Sequence, residues 1–271
     1  RDEWPRSAVA IKKAFGIRIH AVTNKQYAQF DPDHDTRYTD EHGNDHSVPG
    51  YIANHDDQPV SRISWQEASA FCRWMSEKSG KKVRLPTEAE WEWAARAGSA
   101  TQFFYGDADT DFSKFANLAD AARRQTYLRF DGGSKIHRRR NYPEHYRFPL
   151  RDDRFTDRWF IVDFVRQYAP NTWGLYDIVG NVSEWTASDY APYPYDATDR
   201  RNSGSLVSKK VARGGSWHDR PKDAGSTIRF AYESYQKVFN VGFRVVVEDA
   251  PVSSYSLKPI APEVAELIVQ E

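Results

Sequence analysis

The sequence predicts an α+β fold that is rich in loops, with two main helices and short mixed strands. Residues 64–80 and 87–98 each carry apolar side chains at helical spacing behind a Ser or Thr start signal. Short apolar stretches of strand type lie near both ends of the chain, and long polar segments separate them. Fifteen Phe, fifteen Tyr and nine Trp in 271 residues indicate packing around large rings.

Residues 8–30 are interpreted as two strands followed by a short helix. Thr23 or Asn24 would cap this helix, with Tyr27 and Phe30 facing inward.

The first long helix begins at a capping box of Ser64 and Glu67 and ends at Gly80. Its buried stripe consists of Trp65, Ala68, Cys72 and Met75. Apolar surroundings raise the pKa of a thiol, so Cys72 is expected to be a core residue and not a nucleophile.

The second long helix has its own capping box, Thr87 with Glu90, and Gly98 is expected to close it. Its buried face is predicted to hold Trp91, Ala94 and Ala95.

The remaining segments are mostly loops. Residues 31–59 hold His34, His42, His46 and His55 among many Asp residues. These are metal-ligand types, but no tight histidine spacing occurs, so a solvated loop is favoured over a metal site. Residues 100–170 are loop-rich, and two final strands are predicted in "SKKVARGGSW" and "NVGFRVVV". Residues 1–247 are expected to form one domain, with residues 248–271 as a linker or tail toward another domain or partner.

Composition excludes several function classes. Thirty-eight basic and 38 acidic residues balance, so nothing attracts the chain to nucleic acid or an anionic membrane. The basic stretch at residues 135–141 is interpreted as a solvated loop. No apolar run is long enough to span a membrane. The chain starts at Arg1 without Met, which is expected of a processed product or a fragment, with any signal peptide upstream.

The motif "GLYDIVGNVSEWT", residues 174–186, places Asp177 and Glu184 seven residues apart among apolar and aromatic side chains. Glycine disfavours a helix here, so the backbone is expected to turn. The motif therefore predicts a loop that carries two carboxylates.

Four segments in order carry a family resemblance: "RLPTEAEWEWAARAG", "NTWGLYDIVGNVSEWT", "VARGGSW" and "NVGFRVV". Together they resemble the formylglycine-generating enzyme family, also called the sulfatase-modifying-factor domain, over roughly residues 8–247. Several separated motifs in the right order are far more specific than one short pattern. The resemblance implies a variant of the C-type-lectin-like fold.

The resemblance also implies calcium in the loop. The ligands would be the Asp177 and Glu184 side chains with the Gly180 and Val182 carbonyls, a mixture of oxygens that suits calcium. A second, looser match places calcium at Asn117, the Leu118 carbonyl, Asp157 and the Trp159 carbonyl. Arg158 stands in that match where relatives usually carry glycine. Hydrogen-bonded turns without metal are the alternative for both sites.

Copper is not expected. The family's oxidases hold copper(I) with two cysteines after "RGGS", and read without gaps Asp219 and Ala224 stand at those positions. The chain has one cysteine and one methionine, both on the first long helix, whereas copper(I) selects sulfur ligands. Ser183 replaces a tryptophan that the oxidases usually carry.

Two classes of function follow from the resemblance. The first is a non-catalytic, calcium-stabilised module that binds a peptide, a glycan or a partner protein in an extracytoplasmic assembly. Its groove would lie near Ser216, Trp217, His218, Asp219 and Arg229. A solvated strand-end loop is the alternative interpretation of "WHDR". The location follows from the weak calcium affinity typical of extracellular modules.

The second class is an enzyme with different chemistry, as in relatives from ergothioneine and pyoverdine biosynthesis. His218 with Asp219, or the histidines of residues 31–59, would then supply a replacement metal site or an acid–base pair. Convergence of three of these histidines beside a deep pocket would favour the enzyme.

Overall fold

The computed structural model describes residues 4–5, 7–11, 13–40, 45, 50–122, 151–196 and 198–248. The basic segment 135–141, His42, His46 and the predicted tail beyond residue 248 lie outside these residues. The helices are α1 (Asn24–Tyr27), α2 (Trp65–Ser79) and α3 (Glu88–Arg96), and a 3₁₀ turn spans Pro221–Asp223. The strands are β1 (Phe15–Ile17), β2 (Tyr38–Thr39), β3 (Tyr51–Ile52), β4 (Lys82–Arg84), β5 (Ser183–Asp189), β6 (Lys209–Arg213), β7 (Phe230–Glu233), β8 (Val241–Gly242) and β9 (Val246–Glu248).

The described strands form three sheets. Sheet one has the order β1-β9-β4 with antiparallel neighbours, and β2 pairs with β3 alone. The largest sheet has the order β7-β6-β5-β8, in which β5 and β8 are parallel and the other pairs antiparallel. The ladder between β5 and β6 is irregular between Trp185 and Asp189. This sheet carries Glu184 at its centre, because β5 lies between β6 and β8.

Both long helices begin as the capping boxes predict. The Ser64 N–H donates to Glu67 over 2.8 Å, and the Thr87 N–H donates to Glu90 over 2.8 Å. Gly80 ends α2 in the left-handed region at φ 69°. The left-handed residue that ends α3 is Ala97, one position before the expected glycine.

Two predictions differ from the structure in detail. Of the two strands expected in residues 8–22, the structure has β1. Beyond it, Val22 makes a single main-chain hydrogen bond to Phe243 over 2.9 Å. The last predicted strand divides into β8 and β9, because residues 243–245 leave the ladder to pack their side chains inward.

Among the described residues the buried apolar side chains form three clusters, of which two position the site. The first packs α2 against β5 and includes Phe71, Cys72 and Trp185; the second packs α3 against the loop of residues 174–182 through Trp91 and Leu175. Burial raises the pKa of the Cys72 thiol to about 12, as expected of a core thiol. The loop is thus anchored at both ends, since Leu175 is 3% and Trp185 0% exposed.

Candidate functional site

The loop of residues 174–182 closely approaches Asn117. Its backbone is left-handed at Asp177 (φ 52°), Gly180 (φ 78°) and Asn181 (φ 59°). A Cβ atom on Gly180 would lie 2.3 Å from the Asn117 carbonyl oxygen, so the approach requires glycine. The Asn181 N–H donates to the same oxygen over 2.8 Å. The two segments predicted to bind calcium are therefore neighbours.

Two buried asparagines connect these segments. The Asn117 amide donates to the Ile161 carbonyl over 2.8 Å and to Asn181 Oδ1 over 3.2 Å. Asn181 in turn accepts from the Asp163 N–H over 2.8 Å and donates to the Asp163 carbonyl over 3.1 Å. Asn117 Oδ1 is left buried without a hydrogen-bond partner. An orphaned buried acceptor is costly and points to a missing donor or cation.

Asp177 is buried with one carboxylate oxygen satisfied. Oδ2 accepts from the Arg166 N–H over 2.7 Å, whereas Oδ1 is buried without a hydrogen-bond partner. Desolvation raises the pKa of Asp177 to about 7. The side chain therefore sits in the loop as a carboxylate whose charge the surrounding protein compensates poorly.

Glu184 lies on β5, and both of its carboxylate oxygens accept hydrogen bonds from neighbouring side chains. Its Oε2 accepts from Trp91 Nε1 and from Arg244 Nε, and its Oε1 accepts from Arg244 Nη2, each over 2.7 Å. Both members of the ion pair are buried. Glu184 is thus the internal counter-ion of Arg244, with one acceptor position left on Oε1. Its role as a calcium ligand stays a prediction, as do those of the Gly180 and Val182 carbonyls.

The second predicted site contains a pair of aspartates. Asp157 Oδ1 accepts from the Trp159 N–H over 2.7 Å, and Oδ2 accepts from the Leu118 N–H over 3.3 Å. The Asp157 N–H donates to Asp120 Oδ2. Desolvation, together with the neighbouring Asp120 carboxylate, raises the pKa of Asp157, and desolvation raises the pKa of Asp120. Because the two neighbouring carboxylates repel each other, ionisation of both is unfavourable unless a cation lies between them.

These observations test whether calcium suits the residues present. Asn117 Oδ1 and Asp177 Oδ1 are orphaned buried oxygens, and Asp157 and Asp120 form an uncompensated pair. Hard oxygen donors of this kind match calcium. The donor set therefore fits the ion at Asn117 and Asp157 and at Asp177.

Ser216 and Asp219 hydrogen-bond to each other within one turn, which is also bonded to Ala119 and Asn181 through its main chain. Asp219 Oδ2 accepts from the Ser216 N–H over 2.9 Å and from its hydroxyl over 2.6 Å. The Asn240 amide donates to Ser216 Oγ over 2.8 Å. Trp217 is buried, and His218 packs edge-on against Trp217 and Phe239. The Asp219 carboxylate thus closes the turn at the first copper-cysteine position.

Arg229 has a different environment from that turn. It is 8% exposed and donates to Glu88 through Nε over 2.9 Å and Nη2 over 3.2 Å. Glu88 lines a cleft of about 1120 Å³, which we call the α3 cleft. None of residues 216–219 lines this cleft. Arg229 therefore lies beside the α3 cleft, where it binds the lining residue Glu88, and the other four predicted groove residues lie in the Ser216–Asp219 turn.

The described histidines of the 31–59 loop have structural contacts. His34 bonds the Ser61 carbonyl over 3.0 Å and packs on Tyr27, while His55 packs near Phe164. Within the described ranges no three His, Cys, Asp or Glu side chains are grouped as metal ligands. No described helix combines the length and apolar character that a membrane span requires.

Sequence reasoning missed several residues of these sites. Arg244 lies in "GFRVV", and an arginine within such an apolar stretch could have indicated a buried ion pair. Asp163 lies among several other acidic residues of a predicted loop, and nothing in its spacing distinguishes it from them. Tyr193 and Tyr195, which line the α3 cleft, belong to "YAPYPY", whose alternating rings could have marked a wall of ordered aromatic side chains.

Comparison with known proteins places the whole described chain in context. Residues 1–249 match the family described as sulfatase-modifying factor enzyme 1-like domain. "Inactive C-alpha-formylglycine-generating enzyme 2" of Bos taurus is 32% identical over 192 residues, which cover 69% of this chain and 49% of that protein. "Formylglycine-generating enzyme" of Streptomyces coelicolor is 33% identical over 174 residues, covering 62% and 45%. The chain thus spans about half the length of the curated relatives it matches.

Solved structures share the fold. PvdO from Pseudomonas aeruginosa superposes with a TM-score of 0.61 at 23% identity, covering 87% of this chain and 80% of that one. Treponema denticola variable protein 1 gives 0.60 at 20% identity, covering 87% and 84%. These likenesses confirm the predicted α+β fold of the formylglycine-generating-enzyme type.

Proposed function

The chain belongs to the sulfatase-modifying-factor family, and we propose that it is a calcium-stabilised binding module without the family's cysteine-oxidase reaction. The loss of the oxidase reaction is supported by the residues at the two positions where the resemblance places the copper-binding cysteines. Asp219 there closes its own turn through Ser216, and Ala224 offers no ligand atom. A protein of the same family named as inactive is 32% identical to it.

The single thiol supports this half of the proposal. Cys72 is buried on α2, and burial raises its pKa to about 12. Copper(I) is held by deprotonated sulfur. A thiol kept protonated in the core does not replace the two missing cysteines.

Calcium is supported by the acceptors that the fold leaves unsatisfied. Asn117 and Asp157, with the Leu118 and Trp159 carbonyls, would hold one ion. Asp177, with the Gly180 and Val182 carbonyls and the remaining acceptor position of Glu184, would hold the other. A bound ion would neutralise buried carboxylates whose pKa values are raised. It would also fix the contact between the loop of residues 174–182 and the Asn117 segment.

The location and partners follow from this stabilisation. Extracellular calcium modules bind the ion at about 10⁻⁴–10⁻³ M, which suits an extracytoplasmic site. We therefore place the protein in a secreted or cell-surface assembly, where it binds a protein, peptide or glycan. Its role is to present a binding surface on a rigid frame.

An oxidase assay tests the absence of the family reaction. The protein is incubated with copper(I), oxygen and a cysteine-bearing sulfatase peptide, and the peptide is examined for aldehyde by mass spectrometry. The Streptomyces coelicolor relative named as a formylglycine-generating enzyme is the positive control. We expect no aldehyde, and sustained turnover would overturn the proposal.

Chelation tests the calcium half. The chelated protein should melt roughly 5 °C or more below the calcium-saturated protein, because an ion that binds only the folded state stabilises it. Re-addition of calcium should restore the melt, whereas equimolar magnesium should not, since its smaller octahedral shell suits these loops poorly. An unchanged melt on chelation contradicts calcium binding.

A further inference from the structure

The outer face of α3 borders a cleft and is only partly covered. Glu88, Ala89, Glu92, Trp93 and Arg96 all line the α3 cleft, and their spacing places them along one side of the helix. The opposite side is the buried stripe that belongs to the second core cluster. The cleft floor is therefore a regular helix face that carries an indole and charged side chains.

The indole ring of Trp93 is exposed yet held in place by neighbouring rings. Trp93 is 53% exposed and packs edge-on against Trp173 at 4.4 Å between ring centroids. Trp4, on another wall, is 66% exposed. By contrast, Trp91 and Trp185 are fully buried. Rigid exposed indoles provide large amphipathic contact area at low entropic cost.

The facing wall is ordered by stacked arginines. Arg229 lies over Tyr190 and Tyr193 at 4.7 and 4.6 Å from the ring centroids. Arg201 lies over Tyr195 at 4.4 Å. Cation–π contacts of desolvated guanidinium groups fix ring orientation. The rings of Tyr193 and Tyr195 are therefore preorganised where they line the cleft.

The charges in the cleft are largely neutralised from within. Glu88 is paired with Arg229, and Glu92 is paired with Arg96 over 3.0 Å and with the buried Arg213. The lining thus presents hydrogen-bond donors and acceptors without a strong excess of either charge. The main-chain groups of α3 are satisfied inside the helix. An extended peptide that binds by strand pairing finds no free sheet edge on this floor.

We propose that the α3 cleft binds a neutral oligosaccharide. Sugar rings stack their apolar faces on aromatic side chains, and their hydroxyls both donate and accept hydrogen bonds. A volume of about 1120 Å³ exceeds the usual range of roughly 300–1,000 Å³ for small-ligand pockets, so several rings fit. This inference rests on the proposed role as a binding module and replaces the Ser216–Asp219 turn as the ligand site.

The test is titration of the calcium-loaded protein with neutral hexasaccharides of glucose, mannose and N-acetylglucosamine, followed by calorimetry and tryptophan fluorescence. We expect at least one series to bind, with affinity rising with chain length. Trp93→Ala should weaken binding about tenfold or more, which is the loss of one stacking platform. Trp93→Phe should retain part of the affinity. Tyr235→Ala, at an aromatic residue 69% exposed outside the cleft, is the matched control and should bind normally.

Several outcomes overturn the inference. Binding of peptides from a random library but of no hexasaccharide, binding of anionic sugars alone, or sugar binding unaffected by Trp93→Ala would each do so. Melting curves of both variants confirm folding, and Trp93→Phe gives a second reading if Trp93→Ala is unstable. Aldehyde formation or a calcium-independent melt would contradict the proposed function and leave the sugar result standing.

Discussion

Around Glu184 and Glu88 each buried carboxylate lies against an arginine, whereas around Asp177 and Asp157 the carboxylates meet main-chain N–H groups. Glu184 is bound on both oxygens by Arg244, and Glu88 by Arg229. We call these pairs the arginine-paired region. Asn117, Asp157, Asp163 and Asp177 form the aspartate region, where desolvation raises the pKa of each carboxyl group.

The difference shows which region is electrostatically complete. A buried charge that is paired and hydrogen-bonded is tolerated, whereas an unpaired one tends to become protonated instead. The arginine-paired region carries its own counter-ions, so its stability should depend less on calcium. In the aspartate region no arginine binds a carboxylate directly, although Arg244 lowers the pKa of Asp177 from a distance, so the stability of this region should depend more on a cation from outside.

The largest effect is expected on removing Arg244. Arg244→Met leaves Glu184 as a buried charge without its ion pair, which typically costs about 3–5 kcal/mol of unfolding free energy. Urea unfolding in calcium and in chelator measures it. The loss should be smaller in calcium than in chelator, because Glu184 is also a proposed calcium ligand and a bound ion would offset part of its charge.

The double variant Arg244→Met, Glu184→Met is the control. Replacing both members of a buried ion pair by apolar residues is often close to neutral, so in chelator it should regain most of the lost stability. A loss under about 1 kcal/mol in the single variant would show that the pair is not the counter-ion arrangement inferred above.

Gly180 allows the loop of residues 174–182 to approach Asn117 within the aspartate region, and its substitution should rank second. Gly180→Ala combines a left-handed backbone with a Cβ 2.3 Å from a main-chain oxygen, so about 2–5 kcal/mol is expected. Gly174→Ala is the matched control, since it has φ +79° but nothing within 4 Å, and should cost about 1 kcal/mol. Equal losses in the two unfolding curves would mean that the close approach does not exist in solution.

The effect of Asp177→Asn on the free energy of unfolding should have opposite signs with and without calcium. At pH 8, in chelator, the variant should be more stable than the parent by about 1–3 kcal/mol, because it removes a poorly compensated buried charge. In saturating calcium it should be less stable, because a ligand charge is lost.

The pH dependence follows from the pKa of Asp177, which is raised to about 7. The ionisation penalty is absent below the ordinary aspartate range and is fully present above pH 7. The advantage of Asp177→Asn in chelator should therefore shrink as pH falls from 8 toward 4. Glu184→Gln is the contrasting variant and should destabilise in both conditions. If Asp177→Asn changed the stability equally in calcium and in chelator, the distinction between the two regions would be wrong.

The sequence predicted most of the regular structure because helix signals are local. Both capping boxes and the buried faces of α2 and α3 follow from spacing within a few residues. The approach of residues 174–182 to Asn117 depends on contacts between distant segments, which spacing does not encode. The family resemblance brought those segments together, but it did not reveal the competition of Arg244 for Glu184.

Ligand surfaces were harder to predict than the fold. The Ser216–Asp219 turn was expected to line a groove, yet Ser216 bonds Asp219 and accepts from Asn240, and none of the four residues lines the α3 cleft. The α3 cleft is built from residues about a hundred positions apart, including Glu88 and Tyr193. These distant residues are connected by arginines: Arg229 lies over the Tyr193 ring and Arg201 over the Tyr195 ring. Such contacts cannot be inferred from spacing in the sequence.

The smallest effect concerns Arg158, which occupies the position where family relatives usually carry glycine. Its backbone has φ 71°, in the region that costs an L-residue about 1–2 kcal/mol. Arg158→Gly relieves this strain but adds freedom to the unfolded chain, so a net gain of about 0.5 kcal/mol is expected. Arg73→Gly on the exposed face of α2 is the control and should lose about 1 kcal/mol. If Arg158→Gly instead destabilises the calcium form alone, the arginine itself contributes to the aspartate region, and the contrast with the arginine-paired region must be redrawn at this position.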